Sequence, residues 1–251
     1  MRFEFLKNRL FLLMMCLVAT AGLIVSVVQN KSRPAESASG GEESLTPPPK
    51  SSSPPTPPVD NQDWAHILIN KKHPITHDFS IETVPIDDVP VDIRVAPYLN
   101  SLINEAKSQG INLGICSGYR NIQYQKKLYE KEIEKFMNQG LNREEAEAEA
   151  ARHVARPGES EHHSGLAIDF YTYDEPEKNL TSDFLNTKQG RFLDKNAYKK
   201  GFLQRYPLGK EDVTGYTDES WHYRFVGDDA EKIKNSGLTF DEYWEKYYSR
   251  D

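Results

Sequence analysis

The sequence predicts an α+β domain: a small central antiparallel sheet flanked by helices, behind an N-terminal apolar segment and a Pro/Ser-rich spacer. Three observations carry this reading. Helix-period and strand-period stretches are interspersed over residues 61–251 without a regular strand–helix–strand rhythm. Two strand candidates, 165–173 and 221–227, alternate large apolar with other residues, as half-buried antiparallel strands do. The first 60 residues differ in composition from everything that follows.

The elements follow in chain order. Residues 1–9 carry Arg2, Lys7 and Arg9, and the nineteen residues from Leu10 to Val28 carry no charge. At 1.5 Å per helical residue such a run is about 28 Å long, close to the hydrocarbon thickness of a bilayer. The basic flank predicts a transmembrane anchor over 10–28 with the N-terminus cytoplasmic. A cleaved signal at Ala19-Thr20-Ala21 competes, but the apolar run continues through Leu23-Ile24-Val25. A lipoprotein lipidated at Cys16 also competes; Leu13 suits it, whereas Met14 and Met15 do not. All three readings place the remainder outside the cytoplasm. Residues 29–60 are Pro, Ser, Gly and Glu with almost no apolar side chain, so they read as a disordered, semi-stiff linker.

The remaining 61–251 suit one domain with a sizeable core. WAHILIN (64–70) reads as an edge strand or turn. VDIRVAPYLNSLINEAKSQG (91–110) has helical spacing and ends in Gly110. INLGICS (111–117) is a strand candidate, and 121–140 and 142–155 are two helices, the second opened by a capping-box pair, Asn142 and Glu145. A strand (165–173), a short helix (190–202), a strand (221–227) and a last helix (239–250) complete the order.

Composition removes several function classes. A net charge of −7 and a pI near 5.6 argue against nucleic acid, and against binding an anionic membrane through the folded part. The two cysteines, Cys16 and Cys116, exclude a disulfide framework; Cys116 reads as a small buried residue.

The chemistry sits in SEHHSGLAIDF, residues 160–170. On a strand, Leu166, Ile168 and Phe170 face the core while Asp169 faces away. In WHYRFV, Trp221, Tyr223 and Phe225 alternate with His222 and Arg224. Each strand thus turns a potential ligand off the main apolar face, and His162 or His163 sits just ahead of the first. A His, Asp, His set with an open fourth position suits a catalytic zinc. Glu219, three residues before His222, supplies the carboxylate that metal-assisted peptide hydrolysis needs. Alone, each pattern is weak and reads as surface residues or a turn. Their co-occurrence, in this order, points to a metal site.

The segment Ser160-x-His162-x-x-Gly165-x-Ala167-x-Asp169, followed by Glu219-Ser220-Trp221-His222, resembles the paired signature of the zinc D-Ala-D-Ala carboxypeptidases of the VanY type, among the LAS-type peptidoglycan peptidases. SGYRNIQYQ, Ser117 to Gln125, is similar to the family's substrate-side segment, and the resemblance covers most of residues 62–227. It implies one zinc ion on His162, Asp169 and His222, with His163 at a variable position. It implies Glu219 as general base, Arg120 serving the substrate carboxylate or the oxyanion, and Ser117, Gln125 and Ser160 as further substrate-side groups. A structural salt bridge is the other reading of Arg120. Trp221 is expected to pack beneath His222.

The function implied is removal of the C-terminal D-alanine from peptidoglycan stem peptides by a zinc-bound water, in an extracytoplasmic, membrane-anchored position; the lack of a disulfide and the polybasic-poor tether fit a Gram-positive cell surface. Both D,D and L,D bonds fit this reading. A peptidoglycan endopeptidase of the same fold and a non-catalytic wall-binding module with a structural zinc are the alternatives; Glu219 argues against the second, since a structural zinc needs no base.

Overall fold

The computed structural model describes residues 62–249. The expected anchor at 10–28, the linker at 29–60 and Cys16 lie outside them. No helix among the described residues is long and apolar enough to cross a membrane.

Four segments with strand-period patterning pair into one antiparallel sheet. Its strands are β3 (Gly114–Ser117), β4 (Ala167–Tyr171), β5 (Phe202–Tyr206) and β6 (Glu219–Phe225), in the spatial order β3-β4-β6-β5. Period two decides what each face carries. Leu166, Ile168 and Phe170 project into the main core with Leu99, Leu102, Tyr223 and Phe225, and all are at most 1% exposed. Burial of an aliphatic or aromatic side chain of this size contributes about 1.5–3 kcal/mol relative to exposure. The opposite face carries Asp169 and His222, and register fixes their meeting: Asp169 lies opposite His222 on one side and opposite Ser117 on the other.

The helix α1 (Ala96–Ser108) lays Leu99, Leu102 and Ala106 on the main core. The helices α2 (Ile122–Asn138) and α3 (Arg143–His153) form a hairpin with its own small core of Tyr129, Ile133, Ala146, Ala150 and Ala151. The expected capping box is present: the Asn142 side chain accepts from Glu145 N, and Glu145 accepts from Asn142 N. Beyond β5, α5 (Ala230–Ser236) and α6 (Phe240–Tyr247) close over Leu203 and Val226, while α4 (Lys188–Asn196) supplies Phe192 and Leu193 to the main core.

Of the two readings of WAHILIN the structure takes the turn: Gln62–His66 is 3₁₀. Two other local expectations change. Residues 91–92 are not helical but end a two-stranded hairpin, β1 (Thr83–Ile86) with β2 (Val89–Asp92). Its two-residue turn is Asp87-Asp88, both at positive φ, a conformation that matches strand twist. Pro85 and Pro90 pair across it, tolerable because the ribbon has only two strands. Finally, the helix over 190–202 ends before Phe202, which opens β5.

The first and last described segments meet. Trp244 Nε1 donates to the His66 carbonyl at 2.8 Å, the Tyr248 ring stacks on His66, and Asn70 donates to Asp241 at 2.8 Å.

Candidate active site

His162 is placed by a short 3₁₀ turn, Glu161–Ser164, that ends at Gly165 in the left-handed region with φ 71°. A Cβ there would lie 2.7 Å from Ile81 Cδ1 and 3.1 Å from Asp92 Cβ. The glycine of the motif is thus required both by its conformation and by the close approach of the hairpin.

The SGYR segment is sewn to this turn by three hydrogen bonds. Gly118 O accepts from His162 Nδ1 at 2.6 Å, Arg120 N donates to His162 O at 3.0 Å, and Arg120 O accepts from His163 Nδ1 at 2.7 Å. The first bond fixes the His162 tautomer, leaving Nε2 to face Asp169 Oδ2 at 3.1 Å. His163 is fully buried and its Nε2 accepts from Gly158 N, so both its nitrogens are spent on backbone. The two adjacent histidines therefore divide their work: His162 faces the carboxylate and His163 braces the loops.

Asp169 is the hub. Its Oδ1 is 2.9 Å from His222 Nδ1, and its Oδ2 accepts from Arg120 Nη2 at 2.7 Å. Glu219, three residues before His222 at the start of β6, places Oε2 3.6 Å from the same Nδ1 and keeps 14% of its side chain open. Burial pushes the Glu219 carboxyl up to about 7, the range suited to a general base at neutral pH. Burial and the Arg120 guanidinium push His162 down to about 4. Burial opposes charge on His222 too, but Asp169, Glu161 and Glu219 outweigh it and raise the ring to about 9.

The residues fit a zinc ion. One donor atom each from His162, Asp169 and His222 lies within 4.8 Å of the others, and all three residues are buried. A tetrahedral zinc with bonds of about 2.0–2.2 Å spaces its ligands about 3.3 Å apart, so small adjustments suffice. Three carboxylates around one imidazole attract a proton strongly, and a divalent cation satisfies the same surplus of negative charge.

Arg120 pairs with Asp169, and its guanidinium stands beside the cluster with 18% of its side chain exposed. Ser117 Oγ accepts from Arg120 Nε at 2.7 Å, and Gln125 Oε1 lies 3.5 Å from Arg120 Nη1 while its Nε2 donates to Ala155 O. Gln125 is 1% exposed, so in this arrangement it and Ser117 touch the guanidinium. Ser160 is buried at the start of the 3₁₀ turn. Trp221 packs against the main core.

Behind the site lies a buried ionic cluster that sequence reasoning passed over. Glu161 Oε1 accepts from Arg205 Nε at 2.8 Å and from Arg224 Nη1 at 2.9 Å, and all three side chains are 0% exposed. Arg205 also donates twice to Asp241. Burial alone would raise the Glu161 carboxyl, but the two guanidiniums hold it well below the usual carboxylate range. The available signal was Arg224, which shares its strand face with His222 by period two.

The comparisons agree with this geometry. The family profile described as "VanY: D-alanyl-D-alanine carboxypeptidase" matches residues 89–228. A D-alanyl-D-alanine carboxypeptidase of Enterococcus faecalis is 35% identical over 189 residues, covering 73% of this chain and 67% of the relative. The structure of VanYB in complex with D-alanine-D-alanine superposes with a TM-score of 0.66 at 35% identity, over 73% of this chain and 99% of that one. A mutant of the vancomycin resistance D,D-pentapeptidase VanY in complex with Zn(II) gives 0.63 at 36% identity, over 72% and 98%. With its signature residues gathered around Asp169, this chain belongs to the VanY D-alanyl-D-alanine carboxypeptidase family.

Proposed function

We propose that this chain is a zinc carboxypeptidase that removes the C-terminal D-alanine from peptidoglycan stem peptides. The observation that carries the reading is Asp169 set between His162 and His222, with Glu219 and Arg120 against the same cluster. His162 Nε2, Asp169 and His222 would hold the ion. When bound, zinc supplies Lewis acidity: it acidifies water and polarises the peptide carbonyl. Glu219 takes the proton of the attacking water and returns it to the departing amine of D-alanine. Arg120 offers the planar, permanently charged fork suited to a terminal carboxylate or to the charge that develops on the carbonyl oxygen. Ser117 and Gln125 hold that fork in place, and Ser160 sets the start of the turn that presents His162.

The apolar run at 10–28 and the Pro/Ser-rich 29–60 support a single-pass anchor with the catalytic domain at residues 61–251 outside the cytoplasm, tethered where stem peptides are met.

Mass spectrometry of purified tetra- and pentapeptide muropeptides, incubated with the protein and zinc, tests the activity. Free D-alanine and a stem shortened by one residue are expected, and the substrate consumed distinguishes L,D from D,D cleavage. Fragments cut inside the stem, with no free D-alanine, would mean an endopeptidase.

A further inference from the structure

The two histidines of the site present different nitrogens to Asp169. His162 faces it with Nε2, because Nδ1 is bonded to the Gly118 carbonyl. His222 faces it with Nδ1, at 2.9 Å from Asp169 Oδ1, on the side where Glu219 also stands. His222 Nε2 therefore points away from the site into the protein, where it is buried without a hydrogen-bond partner. The group it points at is the carboxylate of Glu161, whose Oε2 is 3.6 Å away and is likewise buried and unpartnered.

We propose that Glu161 is a positioning residue for the metal centre: its Oε2 receives the Nε2 hydrogen of His222 and so holds that ring in the tautomer whose Nδ1 lone pair is free for the cation. This rests on the zinc-peptidase reading above. The bond is not made in the structure, since 3.6 Å lies beyond hydrogen-bond reach. Ligation through Nδ1 leaves the ring's hydrogen on Nε2, and Glu161 Oε2 is the acceptor aimed at it. Ligating histidines commonly give their second N–H to such an acceptor, which fixes orientation and raises ligand basicity.

Glu161 is built for this task. Its other oxygen is bound by both Arg205 and Arg224. Arg224 is further tied to the carbonyls of Ala65 and Ile67, and Arg205 to Asp241. The carboxylate is thus ionised and cannot swing, so Oε2 has one direction available. No exposed group takes part, which separates this role from substrate binding.

Glu161→Gln is the diagnostic change. The amide has one oxygen, and two guanidiniums claim it; the NH2 then faces His222 Nε2. Two donors cannot bond, so the ring is driven to the tautomer with hydrogen on Nδ1, which is unable to ligate.

The test uses the full chain with nitrogen-15-labelled histidine, the His222 signals being assigned by their loss in His222→Ala. In wild-type protein loaded with zinc or cadmium-113, we expect the cation on Nδ1 and a hydrogen on Nε2. Cation on Nε2 overturns the role of Glu161 while leaving the zinc site intact. If neither nitrogen senses the cation, the metal reading fails as well. Folded Glu161→Gln should bind zinc roughly 10- to 100-fold more weakly in chelator competition. Unchanged affinity in that folded variant overturns the proposal. Should the variant not fold, the wild-type Nε2 hydrogen decides: a strongly downfield, exchange-protected proton shows it bonded to a carboxylate, and a proton shift typical of an unbonded imidazole N–H overturns the proposal.

Discussion

Asp169 and His222 face each other across β4 and β6, carboxylate Oδ1 to imidazole Nδ1 at 2.9 Å, because antiparallel register makes them direct partners. The Asp169–His222 half of the candidate metal site therefore depends on strand pairing rather than on a loop. His162 joins from the adjoining turn, itself bonded to Gly118.

Alanine at His162, Asp169 or His222 should abolish zinc content and turnover together. His163→Ala should keep one zinc per chain yet lower the thermal midpoint. It strips partners from Arg120 O and Gly158 N, and a buried unsatisfied backbone group costs about 1–3 kcal/mol. Metal analysis beside thermal melts checks both; loss of zinc in the His163 variant with retention in His162→Ala would reverse the assignment.

Glu219→Gln should leave fold and zinc content intact and cut turnover by roughly 10²- to 10⁴-fold, the usual worth of general acid–base help. The amide holds a similar position but does not accept the proton. Near-native turnover with zinc bound would remove Glu219 from the mechanism.

Arg120→Lys keeps the charge and loses the fork that reaches Ser117 and Asp169 together. A lost hydrogen bond to a charged group costs about 1.5–3 kcal/mol, so kcat/KM should fall about 10- to 100-fold. Ser117→Ala, which removes only the acceptor for Nε, should cost less than either Arg120→Lys or Arg120→Ala. Steady-state kinetics on a pentapeptide stem resolve the order.

A protein beginning at Asp60 should unfold cooperatively and retain activity, since 29–60 offers almost no apolar side chain to pack. Loss of the cooperative transition on removing residues 1–59 would show that the anchor or spacer packs on the domain.

Much of the site was legible because its signals are local. The alternation in 166–170 and 221–225 states which residues leave the core, and those strands do pair. The hairpin at 83–92 was not legible: two prolines speak against strands, and only the paired ribbon excuses them. The buried arginines were hidden for a different reason. Arg205 and Arg224 lie 44 and 63 residues from Glu161 in sequence. The place of Arg224 on the strand face of His222 hints at burial but names no partner, and charge alone argues for exposure.

The meeting of His66 with Trp244 and Tyr248 gives the domain its way in and its way out at one corner. Two segments that meet at one corner are close enough to be connected directly. The domain's ends can be joined by a short bridge and the chain reopened elsewhere, for instance at the exposed Leu208-Gly209 turn, with every pairing around Asp169 preserved. Such a circular permutant keeps its reacting groups while their order along the chain changes, and the same closure lets the whole domain be grafted into a surface loop of another protein.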